Sequence, residues 1–179
     1  MIHDVLNFWF AEGMDKKWFF KDPAFDQAVE EKLLPLYEKA CRGELKSWEN
    51  TAEGCLALCI LFDQVPRNLF RNDPKTYATD AVALEIAQSV VIKGWDKPLT
   101  QHERIFIYIP YEHSEDLSFQ EKSLDLFRAL DENSDWYIYA KKHEVIVRRF
   151  GRFPHRNNIL GRESTAEEIE FLKQPGSSF

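Results

Sequence analysis

The residues best suited to chemistry lie in a cationic segment toward the C-terminal end of the sequence. Between residues 145 and 162 the chain carries five arginines and a histidine but no aspartate or glutamate, although its net charge is −7. Phe153 precedes a proline and should be extended, and Pro154 suits the first position of a short helical turn. The amides of His155, Arg156 and Asn157 would then point outward beside guanidinium groups, in an arrangement that favours a phosphate or a carboxylate.

A second proline-centred segment, residues 62–68, resembles residues 150–157. Each follows an apolar helical pattern and passes through a proline to an arginine and an asparagine, so we expect Pro66 to turn the chain and present Arg67 and Asn68. Asp63 falls on the same helical stripe as apolar residues and should be buried, where a carboxylate needs a cationic partner. The candidate partners are Arg67, Arg152 and Arg156. A ligand pocket and a structural ion-pair network both remain open for these residues.

A third segment places a histidine among carboxylates at residues 110–116. His113, with Glu115 close by, has the chemistry of a general acid or base, or of a metal ligand. The spacing matches no metal-binding motif, and we predict neither a metal ion nor a cofactor. A solvated, acidic start of a helix explains the same residues equally well. His143 lies on the apolar stripe of another helix and is interpreted as a core residue.

Helix signals recur along the chain, and these elements must position the polar segments. Asp22 and Pro23 are typical of an N-cap and the first helical residue, and they predict a helix that runs to Cys41. Capping-box patterns occur at residues 50–53, 100–103, 118–121 and 164–167. Apolar residues follow helical spacing over 51–64 and over 136–150, where Gly151 is typical of a helix end. We predict one all-α domain over residues 1–179 with roughly seven to nine helices.

Composition and segment lengths limit the cellular compartment and the classes of binding partner that we expect. The cysteines Cys41, Cys55 and Cys59 form no CxxC pair and are predicted to be reduced core thiols. The N-terminal residues lack the features of a signal peptide, and the longest apolar run, residues 55–62, is far shorter than the roughly 18 residues of a membrane span. We therefore expect a cytoplasmic protein that does not enter a membrane. The acidic net charge makes nucleic acid an unfavourable partner.

Taken together, these segments resemble a bacterial family known as domain of unknown function 924. The resemblance rests on residues 8–10 (FWF), 61–68 (LFDQVPRN), 78–80 (ATD), 108–116 (YIPYEHSED), 150–157 (FGRFPHRN) and 160–162 (LGR). It implies a fold similar to the antiparallel helical hairpins of tetratricopeptide repeats, and it implies no particular activity. The distinctive stretches contain the polar residues selected above on physical grounds.

The leading prediction is that the two proline-centred segments and the His113 segment converge on one polar pocket for a small anionic metabolite. The residues expected to hold its phosphate or carboxylate are Asp63, Arg67, Asn68, Arg152, Arg156, Asn157 and Arg162. If the protein is an enzyme, a hydrolase or a transferase, His113 or His155 would transfer a proton and Glu115 would orient an imidazole. Two alternatives stay open: a helical-hairpin scaffold that binds a peptide or protein partner, and a polar cluster whose role is purely structural.

Overall fold

The computed structural model of the chain describes residues 1–178, and every regular element in that range is helical. The all-α prediction is therefore confirmed. The α-helices are α1 (Ile2–Trp9), α2 (Pro23–Cys41), α3 (Ala52–Cys59), α4 (Val65–Leu69), α5 (Asp80–Lys93), α6 (Gln101–Glu112), α7 (Leu117–Asp131), α8 (Asp135–Phe150) and α9 (Ala166–Leu172). Short 3₁₀ turns occupy Lys46–Asn50, Pro74–Tyr77 and Pro154–Arg156, and a π-helical turn occupies Ile60–Gln64. Within residues 1–178, no helix has both the length and the apolar composition needed to cross a membrane.

Some helix boundaries lie where the sequence predicts them. Asp22 accepts hydrogen bonds from the amides of Ala24 and Phe25 at the start of α2, and this helix ends at Cys41. Helix α8 ends at Gly151, which adopts the left-handed conformation with φ 69°. Glycine adopts this conformation at little cost because it has no Cβ.

Other caps lie one or two residues away from the predicted ones. The box at Thr100 and Glu103 forms as predicted, since each residue binds the main-chain amide of the other. In the other three cases the capping residue is Thr51, Asp116 or Thr165, so the predicted boxes at 50–53, 118–121 and 164–167 are wrong. Neighbouring polar residues satisfy the same pattern, and the position of the first helical turn decides which side chain reaches the exposed amides.

The chain continues as a helix through Pro66, so the predicted turn at this proline is wrong. The amide of Val65 donates to the carbonyl of Ile60, which is the wider spacing of a π-helical turn. Pro66 has no N–H for the carbonyl of Phe62, four residues earlier. The hydroxyl of Thr79 donates to that carbonyl instead, at 2.5 Å. A side chain from outside the helix thus replaces the missing main-chain donor.

The described residues group into two compact units. One unit comprises Met1–Arg71 with Lys75–Ile107, and the other comprises Asn72–Pro74 with the chain from Tyr108 onward. Helix α6 contributes residues to both units. Because one domain can contain two compact units, the single-domain prediction stays a prediction.

Aromatic and aliphatic side chains form the core of each unit. In the first unit the ring of Phe106 lies 4.8 Å from Trp18 and 5.6 Å from Trp9, between ring centroids. Helix α3 in this unit packs against α1, α5 and the 3₁₀ turn that precedes it, which explains its apolar composition on all sides. In the second unit the ring of Phe127 meets Tyr108 edge-on at 5.8 Å.

The three cysteines differ in accessibility. All are unbridged thiols; Cys55 and Cys59 are buried, and burial raises the pKa of both. Cys41 is exposed at the end of α2, so the prediction that it is a core thiol is wrong. The last turn of an amphipathic helix carries both core and solvent-facing positions, and sequence spacing assigns such end positions poorly.

Candidate functional site

The first unit holds Asp63 and Arg67 in one partly buried ion-pair network. Asp63 is 1% exposed, and Arg67 Nη1 donates to its main-chain oxygen at 2.5 Å and lies 3.5 Å from its Oδ1. The same guanidinium donates to both carboxylate oxygens of Asp80, at 2.7 and 2.9 Å. Burial lowers the pKa of Arg67, but the two carboxylates outweigh burial and raise it, so the side chain stays charged. The predictions that Asp63 is buried and that an arginine accompanies it are confirmed.

Asn68 is buried on α4 and connects this helix to α2. Its Nδ2 donates to Asp26 Oδ1 at 2.8 Å, and Arg71 Nη2 donates to the same oxygen at 2.8 Å. One carboxylate on α2 therefore binds two side chains from the region of α4. These contacts explain the burial of Asn68 without a ligand.

Residues of the second unit gather around the rings of Phe153 and His143, and we call them the histidine cluster: His113, His143, Phe153, His155 and Arg156. The distances between ring centroids are 5.5 Å for His143 and Phe153, 5.7 Å for Phe153 and His155, and 6.1 Å for His113 and His143. The guanidinium of Arg156 lies 4.5 Å from the centroid of Phe153. His143 and Arg156 are buried, whereas His113 and His155 are half-buried. The cluster therefore reaches solvent through two of its imidazoles.

The innermost imidazole, His143, is held in one tautomer. Its Nδ1 lies 2.9 Å from the carbonyl oxygen of Tyr139 and 3.1 Å from Oε1 of the buried Glu112. A carbonyl oxygen only accepts hydrogen bonds, so Nδ1 carries the proton. Burial, followed by the positive charge of His113 and of the other cationic members of the cluster, holds the pKa of His143 well below its ordinary value. At neutral pH the contact with Glu112 is therefore made by a neutral ring and is no ion pair.

Glu115 and Arg162 together fix the backbone on which the cluster is built. Glu115 accepts the amide of Phe153 at 2.7 Å and both terminal nitrogens of Arg162, at 2.6 and 2.9 Å. Arg162 also donates to the carbonyl of Phe153 at 3.2 Å and to Asn157 Oδ1 at 3.0 Å. Burial raises the pKa of Glu115, but Arg162 and the Phe153 amide outweigh burial and lower it. Both main-chain polar groups of Phe153 are thus bound by one ion pair.

Arg152 forms a second bidentate ion pair. Its Nε and Nη2 donate to the two carboxylate oxygens of Glu168 at 2.7 and 2.8 Å, and Nη2 also donates to the carbonyl of Glu163 at 2.8 Å. Glu168 is 2% exposed and also accepts the amide of Thr165, so it completes the capping box of α9. The hydrogen bond from Arg152 lowers the pKa of Glu168 to about 2 against the effect of burial.

The turn at Pro154 forms as predicted, but it does not expose its amides. Phe153 is extended, with φ −91° and ψ 106°, and a short 3₁₀ turn follows. The amide of Arg156 donates to the carbonyl of Phe153 at 3.1 Å, and that of Asn157 donates to the carbonyl of Pro154 at 3.0 Å. The prediction that these two amides point outward toward an anion is therefore wrong. A 3₁₀ turn closes its hydrogen bonds one residue earlier than an α-helix does.

The predicted site residues form two groups, one in each compact unit. The first unit contains Asp63, Arg67 and Asn68; the second contains His113, Glu115, Arg152, His155, Arg156, Asn157 and Arg162. That both groups meet in one pocket stays a prediction. The sequence analysis included Glu112 only as one of the carboxylates of residues 110–116 and gave it no role of its own, and it assigned His143 to the core without a role. A histidine on an otherwise apolar stripe was the available signal for His143.

The first unit also contains an open cleft of about 260 Å³. Its walls include the apolar side chains of Leu58, Phe62 and Val82 and the thiol-bearing Cys41, and none of the predicted site residues lines it. Within residues 1–178, no group of three or more histidines, cysteines or carboxylates has an arrangement that suits a metal ion.

Comparisons with other proteins agree on a relationship that spans nearly the whole chain. Residues 5–176 match the sequence profile of a family described as bacterial protein of unknown function, DUF924. The structure is similar to that of a protein of unknown function from Agrobacterium tumefaciens, with a TM-score of 0.91 and 41% sequence identity over 96% of each chain. No curated protein matches this chain.

Proposed function

This chain belongs to the DUF924 family of bacterial proteins, and from this premise we propose that it binds a small molecule with a phosphate or carboxylate group at the histidine cluster. The half-buried His113 or His155 exchanges a proton with the bound molecule. The family resemblance in the sequence is confirmed, but the family description names no activity, so the proposal depends on the chemistry of the cluster.

The observation that carries the proposal is the concentration of cationic and titratable groups around Phe153. His143, His155 and the Arg156 guanidinium lie around the ring of Phe153, and His113, from a third segment of the chain, lies beside His143. We infer that the Arg156 guanidinium and the protonated forms of the imidazoles give this place a positive potential, against the carboxylate of Glu112 that lies 3.1 Å from His143. A positive potential in a partly desolvated site attracts an anion.

The ion pairs narrow the choice of ligand-binding residues. Arg152 and Arg162 each donate two hydrogen bonds to a carboxylate of the protein, and Arg67 does the same in the first unit. An anionic ligand would have to displace a well-oriented carboxylate to use any of them. We assign Glu115 and Arg162 to the support of the backbone, and we assign the ligand to Arg156 and the two half-buried histidines because these side chains lie together beside Phe153 and His143.

Titration with inorganic phosphate and with acetate, followed by NMR, tests the proposal. We expect one of these anions to shift the signals of the histidine cluster. Arg156→Met should weaken its binding about ten- to a hundredfold, which corresponds to the loss of a hydrogen bond to a charged group. Arg149→Met is the matched control, because Arg149 is exposed and pairs with Glu167. Unchanged signals with both anions, or full affinity in Arg156→Met, would contradict the proposal.

A structural role is the second candidate, and the paired arginines favour it. Glu115 with Arg162 and Glu168 with Arg152 connect distant stretches of the second unit, and stability alone accounts for both pairs. On this alternative, both anions leave the histidine signals unchanged, while Arg162→Met lowers the midpoint of thermal unfolding. The same titration thus separates the two candidates.

A further inference from the structure

A buried glutamine of α7 donates hydrogen bonds to the loop that carries His113. Gln120 is 0% exposed, and its Nε2 donates to the carbonyl of Glu112 and to the carbonyl of Ser114, both at 2.6 Å. These two carbonyls belong to the residues directly before and after His113. A side-chain amide has two N–H groups, so both are used on this one loop.

We propose that Gln120 is the positioning residue for His113, which deepens the function proposed above and rests on it. Helix α6 ends at Glu112, and the last carbonyls of a helix have no donor within the helix. Gln120 supplies donors on both sides of His113 and restrains the backbone that sets the direction of the imidazole. The ring of His113 is thereby held 6.1 Å from that of His143, between centroids.

The burial of Gln120 is costly, and this supports a role beyond packing. Its Oε1 is buried and has no hydrogen-bond partner in the described part of the chain. A buried acceptor without a partner costs free energy that an apolar side chain of the same size would avoid. Proton transfer is sensitive to displacements of about 1 Å, so a fixed His113 backbone keeps the imidazole in position for the bound molecule.

The experiment compares Gln120→Met with a matched control on the same helix. Methionine has a similar length but no N–H donor, whereas Gln120→Glu keeps the shape and, when protonated, donates one hydrogen bond in place of two. Ser123→Ala is the control, since Ser123 is also 0% exposed and its hydroxyl has no partner within residues 1–178. Inorganic phosphate affinity is measured between pH 5.5 and 8, together with the NOE between the rings of His113 and His143 and the midpoint of thermal unfolding.

We expect Gln120→Met to weaken phosphate binding about tenfold, to flatten its pH profile and to abolish the NOE, with Gln120→Glu between it and wild type. Ser123→Ala should keep the wild-type NOE and affinity. A Gln120→Met or Gln120→Glu protein with wild-type NOE and affinity would overturn the proposal and leave Gln120 as a helix cap alone. If wild type does not bind phosphate, the proposed function fails, and the NOE still decides whether Gln120 positions His113.

Discussion

Replacing His143 by asparagine should remove a pH-dependent part of the stability of the protein. The side-chain nitrogen of asparagine occupies the place of Nδ1, so the hydrogen bond to the carbonyl of Tyr139 is retained. The substitution removes a titratable ring that is 4% exposed. The smaller side chain also loses packing, at a cost of about 1–3 kcal/mol that is the same at every pH.

The magnitude follows from the lowered pKa of His143. In the unfolded chain a histidine takes up a proton at about pH 6.5, whereas the folded ring stays neutral well below that pH. The unfolded state therefore binds more protons, and the contribution of His143 is fully present above pH 6.5 and is lost as the pH falls. Between pH 7.5 and 5.5 the wild-type protein should lose unfolding free energy through this residue, by at most about 1 kcal/mol.

Urea denaturation at pH 5.5, 6.5 and 7.5 measures this effect. We expect His143→Asn to be less stable than wild type at pH 7.5 and to come closer to it at pH 5.5, by at most about 1 kcal/mol. His3→Asn, at an exposed position near the N-terminus, controls for the loss of an imidazole as such. Glu112, His113 and the rest of the cluster remain in both proteins, so the difference isolates His143. Parallel pH profiles for wild type and His143→Asn would show that the pKa of His143 in the folded protein is not lowered.

Two further predictions concern the reactivity of the thiols and the loss of stability at low pH. One thiol, Cys41, should react with a disulfide reagent in the native protein, while Cys55 and Cys59 react after unfolding; native labelling of the buried pair would contradict the burial of α3. Glu168 should titrate at about pH 2 by NMR. Its contribution to stability is therefore present at pH values above the pKa of a glutamate in the unfolded chain, and it is lost as the pH falls through 2. In Arg152→Met the titration of Glu168 should move up toward the ordinary range of a glutamate, and an unchanged midpoint would show that the ion pair is not its cause.

The local features of the fold could be predicted from the sequence because they depend on neighbouring residues. The cap at Asp22, the left-handed Gly151 and the extended Phe153 follow from backbone preferences over a few positions. The burial of Asp63 follows from helical periodicity. Where adjacent residues fit one pattern equally well, as around Thr165, the predicted cap lies one residue away from the observed one.

The candidate site could be predicted only in part, since its contacts join residues that are far apart in the chain. The sequence singled out His113, Glu115 and Arg162 as unusual polar groups, and their types alone suggested acid–base or anion chemistry. The pairing of Glu115 with Arg162, 47 residues away, was decided by tertiary packing.

The same packing set the roles that local patterns could not assign. It brought Glu112 beside His143 and placed this neutral core ring next to His113. Local sequence fixes which residues are cationic, acidic or buried. Which charges neutralise each other depends on distances that exist only after the helices have packed, and those distances decide which carboxylate an arginine such as Arg162 or Arg152 binds.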